Sequence, residues 1–255
     1  MRDSMLVVDA GVAVKWLLAE DGSDAALRLV AGGDDMTGGV ESIGNLRRDP
    51  PSNRFVDPGM EVAAILDRLE REDAIAVPAL TDAYRSWLLE EARIAPFREA
   101  RSVVGRGERL VRQRMGVHND FGLESRFHDL TGHYQAVWDS WLVSLAVHPF
   151  ESLLVFNDLM LQVYEPGETG ITPHMDRTAY RNLICLFVLE GRGRFGICED
   201  RSGRGARIIV HEPGDVVLTR APGFRGSERR PFHFLDRITE RRYVFGLRHE
   251  LVGDR

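Results

Sequence analysis

The chain runs to 255 residues, 44% hydrophobic and 28% charged, an ordinary globular composition with room for one large domain or two small ones. Its net charge of −6 gives no overall electrostatic footprint for nucleic acid, and no run of about 18 apolar residues is present to span a membrane. Two cysteines, Cys185 and Cys198, lie outside any C-x-x-C pair and read as plain thiols of a reducing, cytoplasmic compartment.

The first thirty residues read as strand then helix. "MLVVDA" (5–10) is a short apolar β-type run, and helical spacing follows at Val14, Leu17 and Leu18, then at Ala26, Leu27 and Val30. Asp9 and Lys15, the only lysine of the chain, spoil this stretch as a signal-peptide core. Residues 32–59 are rich in Gly, Asp, Pro and Asn without apolar period, and read as a loop or disordered linker. From Met60 a helix is predicted with Val62, Ile65, Leu66 and Leu69 on one face. A short strand over 74–79 follows, then a helix with Thr81 or Asp82 as N-cap. Residues 97–150 read as polar loop with a helix around 134–148. Beyond 150 the character changes to short β-type runs at 152–164, 182–189, 194–198, 206–210, 215–220 and 242–248, punctuated by Gly and Pro. Helices first and many short strands afterwards predict an α+β chain ending in a β-sandwich or double-sheet barrel.

"TPHMD" (172–176) carries His174 and Asp176 in an H-x-D arrangement. On an extended chain these side chains share a face, so an imidazole and a carboxylate can reach one ion. His233, in "RRPFHFLD", supplies a third ligand. Two histidines and a carboxylate form a facial set with open positions, which suits non-haem Fe(II). A rival set, His118, Asp120 and His174, is possible on spacing. It lacks a preceding β-type run and a suitably placed strand-borne arginine, and it leaves Asp176 and His233 without a role. Arg242 does follow His233, in "RRYVFGLRHE". Read as a strand, this segment puts Arg242, Val244, Gly246 and Arg248 on one face and Tyr243, Phe245 and Leu247 on the other. An arginine directed inward beside a metal needs an anionic partner, which a dicarboxylate supplies through a two-pronged contact.

These residues resemble the Fe(II)/2-oxoglutarate-dependent dioxygenases over 153–249: Y-x-P-G at Tyr164 to Gly167, H-x-D at 174–176, P-G-D at 213–215, then His233 and Arg242. The resemblance implies a double-stranded β-helix (jelly-roll) core with N-terminal supporting helices, occupying 59–255. It implies Fe(II) on His174, Asp176 and His233, with 2-oxoglutarate and O2 as cosubstrates and Arg242 gripping the far carboxylate. Tyr164 and Arg248 are further candidates for that ligand. Asn182 either hydrogen-bonds a cosubstrate carboxylate or merely starts a strand. "RYVFGLR" looks most like the AlkB-like branch, although Gln162 stands where that branch often has Asn. A carboxylate at 176 implies oxygen insertion rather than halogenation. The first thirty residues are similar to the opening of PIN-domain ribonuclease toxins, so 1–58 reads as a truncated PIN-like fragment plus linker.

The implied activity is hydroxylation of a C–H bond in a small-molecule or peptide substrate, releasing succinate and CO2. The alternatives are an AlkB-like nucleic-acid demethylase, which the acidic net charge disfavours, and a non-catalytic jelly-roll binding protein. Arg220, Arg225, Arg229 and Arg230 make the loop before His233 dense in positive charge, either to bind an anionic substrate or as a solvated face. The oligomeric state is not legible.

Overall fold

The computed structural model describes residues 49–251. The N-terminal strand, helix and PIN-like readings, and most of the linker, lie outside them. Among the described residues there are three α-helices: α1 (Val62–Glu72), α2 (Asp82–Ile94) and α3 (Arg126–Val143). Thirteen strands are threaded among and after them. β1 (Ala74–Pro78) lies between α1 and α2; β2 (Arg98–Glu99), β3 (Val103–Val104), β4 (Val111–Arg112) and β5 (Gly116–His118) lie between α2 and α3. β6 (Asp158–Tyr164), β7 (Gly167–His174), β8 (Tyr180–Glu190), β9 (Arg194–Cys198), β10 (Arg207–Ile208), β11 (Asp215–Arg220), β12 (Phe232–Ile238) and β13 (Arg242–Glu250) complete the chain.

A large antiparallel sheet has the order β1-β11-β8-β13-β6-β5-β2, and a smaller one β10-β9-β12-β7. Neighbours are mostly distant in sequence, the winding of a double-stranded β-helix. One face of the large sheet is covered by the helices. Leu183, Cys185, Phe187, Tyr243, Phe245 and Leu247 pack there against Ile65, Leu66, Leu88 and Trp138. Phe127 meets Phe245 at a ring separation of 4.5 Å, and Tyr134 meets Phe187 edge-on at 4.7 Å. The other face looks into the small sheet, where Val188, Val217 and Tyr164 share a core with Phe195, Ile197, Leu235 and Ile238. β8 and β13 are therefore buried on both faces; β8 reads as a near-continuous apolar run over 183–189, while β13 carries Arg242 and Arg248 on its inner face.

α1 buries Val62, Ile65, Leu66 and Leu69, the stripe that its helical spacing predicts. Thr81 is the N-cap of α2: its Oγ1 accepts from Tyr84 N at 3.3 Å. α3 starts well before the predicted helix, at a Ser125 cap, and ends at Val143. β7 and β12 were hidden from the periodicity reading, because Gly, Thr and Pro fill the one and charges interrupt the other.

Residues 53–56 have almost no regular structure, as the composition suggests, yet they are packed onto the domain. Val56 N donates to Ala79 O, Thr81 N donates to Arg54 O, and Phe55 lies edge-on to Tyr84. Arg54 donates twice to Asp129, at 2.8 and 2.9 Å, and Tyr84 Oη donates to the same carboxylate at 2.6 Å. Burial pushes Asp129 up, but hydrogen bonds from Arg54 and Tyr84 outweigh it and hold the carboxyl below its ordinary 3.8. A depressed folded value stabilises above the unfolded value, and that contribution is lost as pH falls through the folded one. Asp129→Asn is expected to cost about 1–3 kcal/mol at pH 7. The gap to wild type should narrow as denaturant melts are repeated below pH ~4; a gap independent of pH would contradict this assignment.

Candidate metal centre

β7 and β12 run antiparallel, side by side in the small sheet, and their register sets His174 directly opposite His233. The imidazole centroids lie 4.2 Å apart. Asp176 stands just past the end of β7, where Arg230 Nη1 donates to its main-chain carbonyl at 2.8 Å. Its carboxylate Oδ2 lies 3.4 Å from His233 Nε2. One donor atom from each of the three residues falls within 4.8 Å of the others. Among the described residues no other group of three His, Cys, Asp or Glu side chains converges in this way.

Both rings are oriented through Nδ1. The Thr172 carbonyl lies 3.0 Å from His174 Nδ1, and the Pro231 carbonyl 3.2 Å from His233 Nδ1. A carbonyl only accepts, so each ring carries its proton on Nδ1 and keeps Nε2 free as a ligand atom. Burial, then the facing His233, pushes His174 down to about 4, against the opposing pull of Asp176. Burial pushes Asp176 up, but His233, His174, Arg248 and Arg230 together bring it below the usual carboxylate value. At neutral pH the set therefore includes an uncharged His174 imidazole and a carboxylate, the donor chemistry of a divalent first-row ion.

The cavity around this set lies between the sheets. Ile171, His174, Phe195, His233 and Leu235 line it from the small sheet; Gln162, Tyr164, Ile184, Leu186, Arg242, Val244 and Arg248 line it from the large one. The alternation read from "RRYVFGLRHE" holds: Arg242, Val244 and Arg248 face the cavity, while Tyr243, Phe245 and Leu247 face the helices. Gly246 makes room for Arg248. A Cβ there would meet the Arg248 guanidinium at 3.0–3.1 Å.

The two arginines are placed differently. Arg248 has a carboxylate, Asp158 Oδ2, at 3.2 Å. Burial works against its charge, but Tyr180, Asp176 and Asp158 outweigh that and raise it. Arg242 is 3% exposed and has no carboxylate partner among the described residues. Its one hydrogen bond is a long 3.4 Å contact from Nη1 to Gly191 O, and its Nε has none. Burial lowers it to about 10, with Tyr164 opposing. Tyr164 is its register partner across the sheet, and burial lifts that phenol to about 12, so it stays a hydrogen-bond donor. A buried guanidinium short of an anion, beside a neutral donor and a metal-ligand set, fits a carboxylate-bearing ligand.

Three expectations need correction. Asn182 does not line the cavity. It sits at φ 64° beside an irregularity in the β8–β13 ladder, and its amide contacts Ser152 and His249 Nδ1. It ties a loop to the sheet. His118 is on a strand, contrary to the reading of its surroundings, and packs against Phe121 and Phe97 without joining His174. The arginine-dense loop is largely neutralised by α1 and its C-cap. Arg225 contacts Glu70 and Asp67, Arg229 reaches Asp73 at 2.5 Å, and Arg220 lies 3.8 Å from Asp73. Phe224 is fully buried and packs. Asp158, the partner of Arg248, was not singled out from sequence; its signal was its place in the cross-strand register.

No protein-family model matches the chain, and no curated protein matches it in sequence. Solved structures match in fold. A prolyl-4-hydroxylase from Pseudomonas putida aligns at 15% identity and TM-score 0.53, over 74% of this chain and 98% of that one. An oxidoreductase of the 2OG-Fe(II) oxygenase family from Burkholderia pseudomallei aligns at 11% and 0.55, over 78% and 94%. A prolyl hydroxylase from Trichoplax adhaerens, solved with a hypoxia inducible factor peptide fragment, aligns at 11% and 0.51, over 76% and 96%. At these identities the likeness establishes the fold, a jelly roll of the kind found in 2OG-Fe(II) oxygenases.

Titration calorimetry with Mn(II) under argon is expected to show one site per chain. His174→Ala and His233→Ala should each weaken it by more than the ~10–100-fold typical of changes to a ligand's supporting contacts. Unchanged affinity in either variant would exclude this cluster as the site.

Proposed function

We propose that residues 59–255 form an Fe(II)- and 2-oxoglutarate-dependent oxygenase that hydroxylates a C–H bond of a peptide or small-molecule substrate. The observation that carries this reading is Arg242: a buried guanidinium without a carboxylate, in the same cavity as His174, Asp176 and His233. A structural arginine would have its anion within the fold, as Arg194 has Asp236 at 2.5 Å.

In this reading His174, Asp176 and His233 hold the iron. Arg242 and the Tyr164 phenol hold the far carboxylate of 2-oxoglutarate, which fixes the orientation of its 2-oxo acid end toward the metal. Bound iron and cosubstrate supply the oxidising power: 2-oxoglutarate and O2 are consumed, succinate and CO2 are released, and one oxygen atom enters the substrate C–H bond. Ile171, Ile184, Leu186, Phe195 and Leu235 keep the site poor in water and so strengthen the charge contacts within it. The Nδ1 bonds from the histidines to Thr172 and Pro231 keep both rings in the ligating tautomer. Peptide substrates gain support from a neighbour of like fold solved with a peptide fragment.

A second reading, an AlkB-like nucleic-acid demethylase, draws support from Arg248, which faces the same cavity as Arg242. Gln162 in the cavity wall and the net charge of −6 speak for the first. A non-catalytic binding role has no use for all four of the triad and Arg242. In this reading residues 1–58 are a truncated PIN-like fragment plus linker, and the setting is the cytoplasm. No helix among the described residues is long and apolar enough to cross a membrane.

Anaerobic addition of Fe(II) and 2-oxoglutarate is expected to give a visible metal-to-ligand charge-transfer band, absent from His174→Ala. Arg242→Met should keep Mn(II) affinity but need ~10–100-fold more 2-oxoglutarate to reach the same band, the loss of a charge-assisted contact. A chain that binds metal but never develops the band would overturn the oxygenase reading.

A further inference from the structure

Residues 98–118 form one hairpin in a single register. Arg98 is opposite Val117 and Glu99 opposite Gly116; farther out, Val103 is opposite Arg112 and Val104 opposite Val111. The returning arm is fastened to the strand that ends in His174. Arg112 N donates to Thr172 Oγ1 at 3.0 Å, Gln113 bridges to Ile171, and Arg114 N donates to Gly170 O at 2.8 Å. Ile171 is itself a wall of the metal cavity.

This hairpin carries positive charge that the fold leaves free. Arg101, Arg106, Arg109, Arg112 and Arg114 are exposed, and none has a carboxylate partner among the described residues. Several arginines elsewhere have carboxylate partners: Arg93 with Glu190, Arg181 with Glu228, Arg204 with Glu199. Only Glu99 and Glu108 offset the hairpin's charge, in a chain that is net acidic. Concentrated cationic charge of this kind favours and steers an anionic partner.

The outer arm also has a free edge. β2 ends the large sheet and β3 ends its own two-stranded sheet. Ala100 N donates to Met115 O, and Ser102 O accepts from Gln113 N, so these residues turn their backbone groups inward. Antiparallel alternation then turns the N–H and C=O of Val103 outward, while the Arg101 carbonyl already accepts from Gln113 Nε2 at 2.8 Å. Val103 and Val104 are 44% and 46% exposed. Unpaired backbone, exposed valines and flanking arginines make a template for an added strand. The hairpin has no Phe, Tyr or Trp on which bases would stack, which favours polypeptide over nucleic acid.

We propose that the outer edge of this hairpin binds an extended acidic polypeptide segment, adding it as a strand beside β3 and holding it next to the metal cavity. That the segment is substrate rests on the oxygenase reading; that it docks does not.

The test uses the full chain and a fluorescein-labelled twelve-residue peptide of repeating Glu-Val-Glu-Thr, followed by anisotropy. Saturable binding that weakens with added salt is expected, and a Lys-for-Glu version of the peptide should not bind. Arg101→Glu with Arg109→Glu, and separately Val103→Pro, should each weaken binding at least ~10-fold. Val103→Pro removes only an outward N–H, and proline is tolerated on an edge strand. Both variants should keep wild-type Mn(II) affinity, and His174→Ala should keep the peptide while losing metal. The proposal is overturned if both variants bind the peptide as wild type does, or if metal-competent wild type fails to bind it. It is also overturned if an oligo-dT of equal length binds more tightly than the peptide.

Discussion

The antiparallel pairing of β7 with β12 is the constraint on which the site depends. Its register sets His174 opposite His233, and a slip of one residue would turn one of the imidazoles to the other face of the sheet. The register is held from both sides. On β12, Leu235 and Ile238 are buried in the core between the sheets, and Asp236 is clamped by Arg194 of β9. On β7, the backbone contacts of Arg112 and Arg114 fix the outer edge. Asp176 is set less by the ladder than by Arg230, whose donation to the Asp176 carbonyl anchors the chain as it leaves the strand.

The large sheet divides its labour by face. On β13 the helix-facing residues Tyr243, Phe245 and Leu247 build the core, and that burial offsets the cost of the two guanidiniums on the other face. Arg248 is partly compensated within the fold by Asp158, but Arg242 is not. A group held in an unfavourable environment by surrounding packing is a common price of function. On the proposed reading a dicarboxylate in the cavity would remove that cost, which would couple ligand binding to folding stability.

The sequence was most legible where one physical pattern dominated. The α1 stripe of Val62, Ile65, Leu66 and Leu69, the bounds of β9 and β11, and the alternation of β13 were all readable from apolar spacing. The convergence of His174, Asp176 and His233 was readable from residue type and resemblance, and Val244 was readable on the face of Arg242. What was missed was tertiary in origin. β7 and β12 are strands because they complete a sheet, not because Gly167–His174 has β-type composition. Asn182 sits beside a ladder irregularity, and its left-handed conformation belongs with a side chain spent on Ser152 and His249, an orientation that simple alternation does not foresee. The partners of Arg225 and Arg229 lie on and just after a helix more than a hundred residues earlier, so the loop looked freely charged when it is not.

A crystal structure grown anaerobically with Mn(II) and 2-oxoglutarate bears most directly on the central claim. The account expects a single ion touching both imidazoles and the Asp176 carboxylate, with the far carboxylate of the 2-oxo acid against Arg242 and Tyr164. An ion bound elsewhere, or a cavity in which Arg242 faces no anion while 2-oxoglutarate saturates the crystal, would contradict it.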